Sequence, residues 1–306
     1  MVAELLQQPD TGMAPPQRPS QDPWYVRYLL IGGTVSVVGL LIVVPLVHVF
    51  YQAFAAGIEH YWDSLVNDAD TRHAIFLTLM VAPVAVALNV VFGVAAAWTV
   101  ARFRFPGRAI LVTLIDLPFS VSPVVAGLVF VLLFGLQAPL GQWLKDHGYQ
   151  VIFAPPALVL ATAFVTFPFV ARELIPVLEA VGTEEELAAR SLGASGWQMF
   201  WRITVPNIKW GLLYGVILCN ARAMGEFGAV YVVSGRISGQ TDTMPLRVEK
   251  LFQGISKDDQ AAAFALASVL TLLSVVTLLV KVGVERKLRE QTRNVARLSE
   301  SGADPT

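Results

Sequence analysis

Long stretches without a single Asp, Glu, Lys or Arg dominate this chain and limit what it can become. Five such runs cover residues 28–58, 74–101, 117–144, 148–171 and 261–280, and a sixth, 210–233, is interrupted only by Arg222 and Glu226. A helix needs about 20 largely apolar residues to cross the hydrocarbon core of a bilayer. The runs are continuous rather than alternating, which argues against a β-barrel. Composition agrees: 55% of the residues are hydrophobic and 15% charged, against about 45–50% and about 25% in soluble domains. The expected fold class is all-α, a polytopic membrane protein with six transmembrane helices over roughly 26–50, 74–101, 109–135, 155–176, 208–233 and 260–283.

Basic residues orient these spans. With the N-terminus inside, fifteen Lys and Arg fall on the inner side and six on the outer, with Arg222 within a span. That bias predicts a multi-pass protein of the bacterial cytoplasmic (inner) membrane with both termini cytoplasmic. Residues 1–23, rich in Pro, read as a disordered cytoplasmic tail and lack the basic start and apolar core of a signal peptide. Residues 24–70 read as an N-terminal helix with an outer loop, and 284–306 as a charged, solvated cytoplasmic tail.

Several function classes are excluded. The net charge of −1 points to no nucleic-acid partner. No Gly-Lys dipeptide occurs, so there is no phosphate-cradling loop of the Walker A kind. If ATP drives this protein, another subunit binds it. Cys219 is the one cysteine and His48, His60, His73 and His147 are scattered, so no metal site or disulfide is expected. No catalytic constellation is visible either. A secondary transporter is a rival reading, but proton-relay residues or inverted repeats are not apparent.

The connection around 172–207 carries its own helix punctuation. Thr183 with Glu186 fits a capping box, with Glu184 and Glu185 also in the first turn. Gly193 fits a left-handed stop. Ser195 with Gln198 repeats the capping pattern before Trp197–Trp201, and Pro206 is expected to end the second short helix. The apolar residues Leu187, Leu192, Trp197, Phe200, Trp201 and Ile203 exceed what a solvated loop needs. They suit either a hairpin packed beneath its own bundle or a docking knob for a cytoplasmic partner.

Within the spans, IDLPFSVSPVVAG (115–127) holds Pro118 and Pro123. This is either a broken helix beside a translocation path or a plain proline kink. Arg222 and Glu226 would each cost about 2.5–3.5 kcal/mol at mid-membrane on insertion scales. They lie on a small, polar face with Gly211, Gly215, Cys219, Gly225 and Ala229, as a helix–helix or pore-lining seam would. The pair either lines an anion path or neutralises itself structurally. Asp116 reads as interfacial, with a basic partner as the alternative. Residues 234–258, with Pro245 near a helix start, read equally as a gate or binding-protein contact and as a solvated loop.

The spacing Ala188-Ala189, Gly193, Ile203, Pro206 resembles the EAA loop of ABC importer permeases, with Val205 where Leu is usual and Leu187 where the leading Glu is usual. That departure leaves the usual acidic contact without its residue, the acids standing at 184–186. ALNVVFGVAAAW (87–98), FPGR (105–108), IDLPFSVSPVVAG, the stretch 193–230 and SGQTDTMPLRVEKLF (238–252) are similar to sulfate/thiosulfate permeases of the W-subunit (CysW) type. The resemblance covers about residues 70–285. It implies a type I importer (MetI-like) permease core over 71–283, with a coupling loop at 179–206 in which Glu186, Leu187, Ala188, Ala189, Gly193, Ile203 and Pro206 meet the ATPase. It implies a translocation path marked by Pro118, Pro123, Arg222 and Glu226. The implied protein is a non-catalytic subunit importing sulfate and thiosulfate, with molybdate or tungstate as the alternative oxyanions. Its implied partners are a homologous second permease, two ATP-binding cassette subunits that use ATP and Mg, and a periplasmic or lipid-anchored binding protein.

Overall fold

The computed structural model describes residues 23–301, with side chains through 285. The expected tail at 1–23 thus lies, Pro23 apart, outside the described residues. Among the described residues all regular structure is helical. The described residues divide into two compact units, one up to His48 and one from Val49 onward. Helix α1, Trp24–Ala55, begins in the first. At 1.5 Å per residue it is about 48 Å long, more than one bilayer core.

The second unit contains α2 (Ile58–Val66), α3 (Ala69–Arg102), α4 (Arg108–Ser120), α5 (Pro123–Phe134), α6 (Pro139–Asp146), α7 (Pro155–Val181), α8 (Glu184–Ser191), α9 (Gly196–Met199), a π-helical turn Phe200–Thr204, α10 (Val205–Met224), α11 (Gly228–Ser234), α12 (Met244–Phe252) and α13 (Lys257–Ser301). Four helices, counting α1, are long and apolar enough to cross a membrane, and six spans result if the bent pairs α4–α5 and α10–α11 each count as one.

Packing decides that question for α4–α5. Asn89 on α3 meets Thr166 on α7, Gly93 meets Val170, and Arg102 meets Leu178. The numbers rise together, so α3 and α7 run parallel. The chain between them must therefore return across the layer, and α4–α5 is that return. On α10 the order reverses: Gly211 lies against Val177, Gly215 against Val170 and Glu173, and Cys219 against Thr166. Small residues allow this closeness: a Cβ at Gly93 would lie 3.0 Å from Val170, and one at Gly211 2.8 Å from Val177. The small-residue face of α10 is thus a helix–helix seam over 211–219. Midway, Asn89 Nδ2 donates to Thr166 Oγ1 at 2.8 Å and Cys219 is fully buried beside them, joining three helices through polar groups where no water competes.

Two expectations are corrected here, and two open alternatives are decided. The third span is two helices bent by 107°, not a kinked rod. Ser122 precedes a proline and is held extended (φ −58°, ψ 133°), because the proline ring disfavours the helical conformation there; Pro123 then opens α5. The fifth span also breaks, by 53°. Pro206 does not end a helix: the chain is helical from Gly196 to Met224. The carbonyl that a proline at 206 would clash with belongs to Arg202, and that residue sits in the π-turn, whose wider winding accommodates the ring. Finally, residues 234–258 are not a solvated loop. Thr241, Asp242, Met244 and Leu246 are buried, Met244 N donates to Thr78 Oγ1 at 2.8 Å, and Arg247 pairs with Asp68 at 2.7 Å. Burial alone would push the Asp68 carboxyl up, but hydrogen bonds from Thr71 and Arg247 and the Arg247 charge hold it below its ordinary value. At the other chain end, α13 continues helically through the start of the expected tail to Ser301.

Candidate functional site

The connection from α7 to α10 folds as a compact knob. Helix α8 closes on Gly193, whose φ of +86° is the left-handed conformation that a side chain strains. Gly193 N donates to Arg190 O and Ala194 N to Ala189 O, each at 3.0 Å, which satisfies the last carbonyls in the Schellman arrangement. Ser195 and Gln198 form the expected reciprocal capping box at the start of α9. The apolar residues divide. Phe200 and Ile203 are half-buried, and the Phe200 ring meets Trp98 on α3 edge-on at 5.5 Å. Leu187, Leu192, Trp197 and Trp201 face outward, Leu192 being 88% and Trp197 71% exposed. Ala188 and Pro206 are exposed beside them. The hairpin-packing alternative therefore accounts for only two of the six apolar residues.

Glu186 does not complete a capping box. Thr183 makes no side-chain cap, and the Glu186 carboxylate turns into the body instead. Its Oε2 lies 3.0 Å from Arg102 Nε, and its Oε1 accepts from Arg102 Nη2 at 3.1 Å and from Thr204 Oγ1 at 2.8 Å. Arg102 also donates from Nη1 to Leu178 O at 2.7 Å. A buried, charge-assisted bond outcompetes a solvated local cap. Leu187, at the position where an acid is usual in the resembled family, is exposed; the acid beside it points inward.

The second candidate region lies where the two bent spans meet. Pro118 is buried within α4. Pro123 touches Gly228, where an added Cβ would lie 3.0 Å from it, and a Cβ at Gly127 would lie 2.7 Å from Ala229 O. The two glycines thus let α5 and α11 press together just past their breaks. Glu226 lies in the α10–α11 break itself: Oε1 accepts from Ala229 N at 3.0 Å, and Oε2 pairs with Arg222 Nη1 at 2.8 Å. The carboxylate side chain is 1% exposed and the guanidinium 36%. Glu226 therefore anchors the start of α11, while a third of Arg222 remains accessible. Sequence reasoning placed both residues on one continuous helix face. Gly225 and Gly228 beside them were the available sign of a break.

Arg172 Nε and Nη2 donate to the two Asp116 oxygens at 2.6 and 2.7 Å, which gives Asp116 the basic partner that was its alternative reading. The expected span 155–176 already enclosed Arg172, which was the signal for it. The Arg172 side chain is 56% exposed and its guanidinium sits 5.5 Å from the Phe119 ring centre.

Comparison with known proteins follows the same lines. Residues 89–290 match the family model described as "Binding-protein-dependent transport system inner membrane component". The "Sulfate transport system permease protein CysW" of Escherichia coli (strain K12) is 50% identical over 267 residues, covering 87% of this chain and 90% of that protein. The "Sulfate transport system permease protein CysT" of the same strain is 37% identical over 250 residues, 82% of this chain and 89% of that protein. A crystal structure of a bacterial ABC transporter involved in the import of the acidic polysaccharide alginate shares the fold, with a TM-score of 0.67 at 18% identity over 87% of this chain and 98% of that one. With residues 89–290 matched, and 50% identity along most of its length to a member, the chain belongs to the family of inner membrane components of binding-protein-dependent transport systems.

Proposed function

We propose that this chain is the W-type membrane-spanning subunit of an ATP-driven sulfate importer. The observation that carries this reading is 50% identity to a sulfate permease along 87% of the chain. The outward-facing apolar knob at Leu187, Leu192, Trp197 and Trp201 supports the ATP-driven part, because a secondary transporter has no use for such a surface. ATP and Mg are then used by two cassette subunits, one of which docks on the knob. The partner permease is a T-type homologue, in keeping with the 37% identity to CysT, and a binding protein delivers the anion. Arg222 offers the passing dianion a weak cationic station tempered by Glu226, since a site that binds too tightly does not release. The test is radiolabelled sulfate uptake by the four-component complex in proteoliposomes. Uptake requiring both ATP and the binding protein is expected. Uptake that ignores ATP and follows a proton gradient refutes the reading.

The end of the bundle that carries the knob also carries Arg102, Arg104, Arg108, Arg190, Arg202 and Lys209, and the positive-inside bias supports a cytoplasmic position for it. Native Cys219 is buried and will not interfere with thiol labelling. Lys145→Cys and Gln253→Cys should label from outside intact cells, and Pro106→Cys and Arg190→Cys only after permeabilisation. Labelling of position 190 from outside contradicts this topology.

A further inference from the structure

We infer that the buried Arg102–Glu186 pair is a positioning strut that carries movement of the knob into α3 and the root of α10. The inference rests on the reading of the α8–α9 knob as the ATPase dock. Of the residues of α8, only Glu186 is buried; Leu187 and Leu192 point away from the body. A push on α8 therefore reaches the body through the backbone, the exposed Asn207–Glu185 bond and this one carboxylate. The carboxylate is held at both oxygens, by Arg102 from the last turn of α3 and by Thr204 from the π-turn. Arg102 is held in turn by the Leu178 carbonyl near the end of α7. Four segments thus converge on one ion pair whose side chains are only 6% and 10% exposed.

The geometry suits transmission. Charge-assisted bonds to a planar guanidinium resist rotation as well as separation. The apolar patch on the outer side of α8 resists neither, since it has no directional contact with the body. The π-turn is the segment most able to change winding, and Thr204 fixes its last residue to the same carboxylate. Displacement of α8 would then turn the root of α10 and shift the end of α3 together, rather than flexing the loop alone.

The test uses the reconstituted complex and reads two quantities: co-purification of the ATPase subunit, and sulfate moved per ATP hydrolysed. In Glu186→Gln the ATPase subunit should still co-purify, while sulfate per ATP falls at least fivefold. Thr204→Val removes one bond and leaves the ion pair, and should lower the same ratio about twofold. If the pair is merely structural, less complex is recovered but sulfate per ATP equals wild type, and the strut is refuted. Loss of co-purification in Glu186→Gln also refutes it, because the pair then shapes the dock. If Glu186→Gln does not assemble, the ratio in Thr204→Val decides. The docking reading fails separately, if Trp197→Ser leaves the ATPase subunit bound at wild-type levels.

Discussion

Glu226→Ala should abolish uptake and sharply destabilise the protein, because one carboxylate serves two partners. Its loss leaves the Ala229 amide without its acceptor and Arg222 without its counter-charge. Removing one partner of a buried pair costs about 3–5 kcal/mol; the partial exposure of Arg222 puts the expected figure near the lower end, at ~3 kcal/mol. Glu226→Gln keeps an oxygen for Ala229 and loses only the charge, so it should fall between. Thermal unfolding in detergent, read alongside uptake, separates the three proteins, and an alanine variant as stable as wild type would show that the break is not anchored here. The geometry also makes one appealing experiment uninformative. Exchanging the pair, Arg222→Glu with Glu226→Arg, puts a side chain without acceptors beside the Ala229 amide. It should fail whether Arg222 serves the anion or only the fold. The informative variant is Arg222→Gln, which leaves the Glu226–Ala229 bond in place: lost uptake with normal assembly is the outcome expected of an anion station.

Trp197→Ser should release the ATPase subunit. A large aromatic already exposed on the knob resembles the anchors that dominate interfaces, whose truncation commonly costs about 2 kcal/mol or more, roughly a thirtyfold loss of affinity. Gly193→Val should weaken docking by another route. A β-branched residue at φ +86° strains the turn by about 1–3 kcal/mol and misaligns α8 and α9. Pull-down of the ATPase subunit against a titration of detergent-solubilised permease measures both. Wild-type retention by the two variants together would remove the knob from the coupling pathway.

What was legible in the sequence was whatever local chemistry alone decides. Gly193 and the Ser195–Gln198 box depend on neighbours a few residues away, and both stand as read. Thr183 with Glu186 has the same local pattern and reads the same way. It fails because Arg102, 84 residues distant, offers the carboxylate a buried, charged partner that outcompetes a solvated cap. Arg222 and Glu226 do pair at the i, i+4 spacing, but the single helix face drawn through them fails, because the chain leaves the helix between them to let α11 meet α5. Pro206 was misread because a π-turn, which has no sequence signature in the residues used, absorbs it. The spans themselves were legible because lipid admits few alternatives. The break at Pro123 was legible as one of two alternatives, whereas the one after Met224 was not read, since it depends on Gly228 lying against Pro123 and Gly127 against Ala229.

The Arg172–Asp116 pair bears on the life of the chain before assembly. More than half of that arginine side chain lies open to its surroundings, on helices that otherwise suit hydrocarbon. Acyl chains solvate such a pair poorly, whereas a second subunit or a water-filled lumen does so readily. Synthesised without its companions, the chain would carry the unrelieved cost of this exposed pair, and a less stable orphan is the more readily degraded one. Its abundance in the cell should therefore follow the supply of its partners, and a paired neutral substitution, Arg172→Leu with Asp116→Leu, should lengthen the half-life of the orphan while doing nothing for the completed transporter.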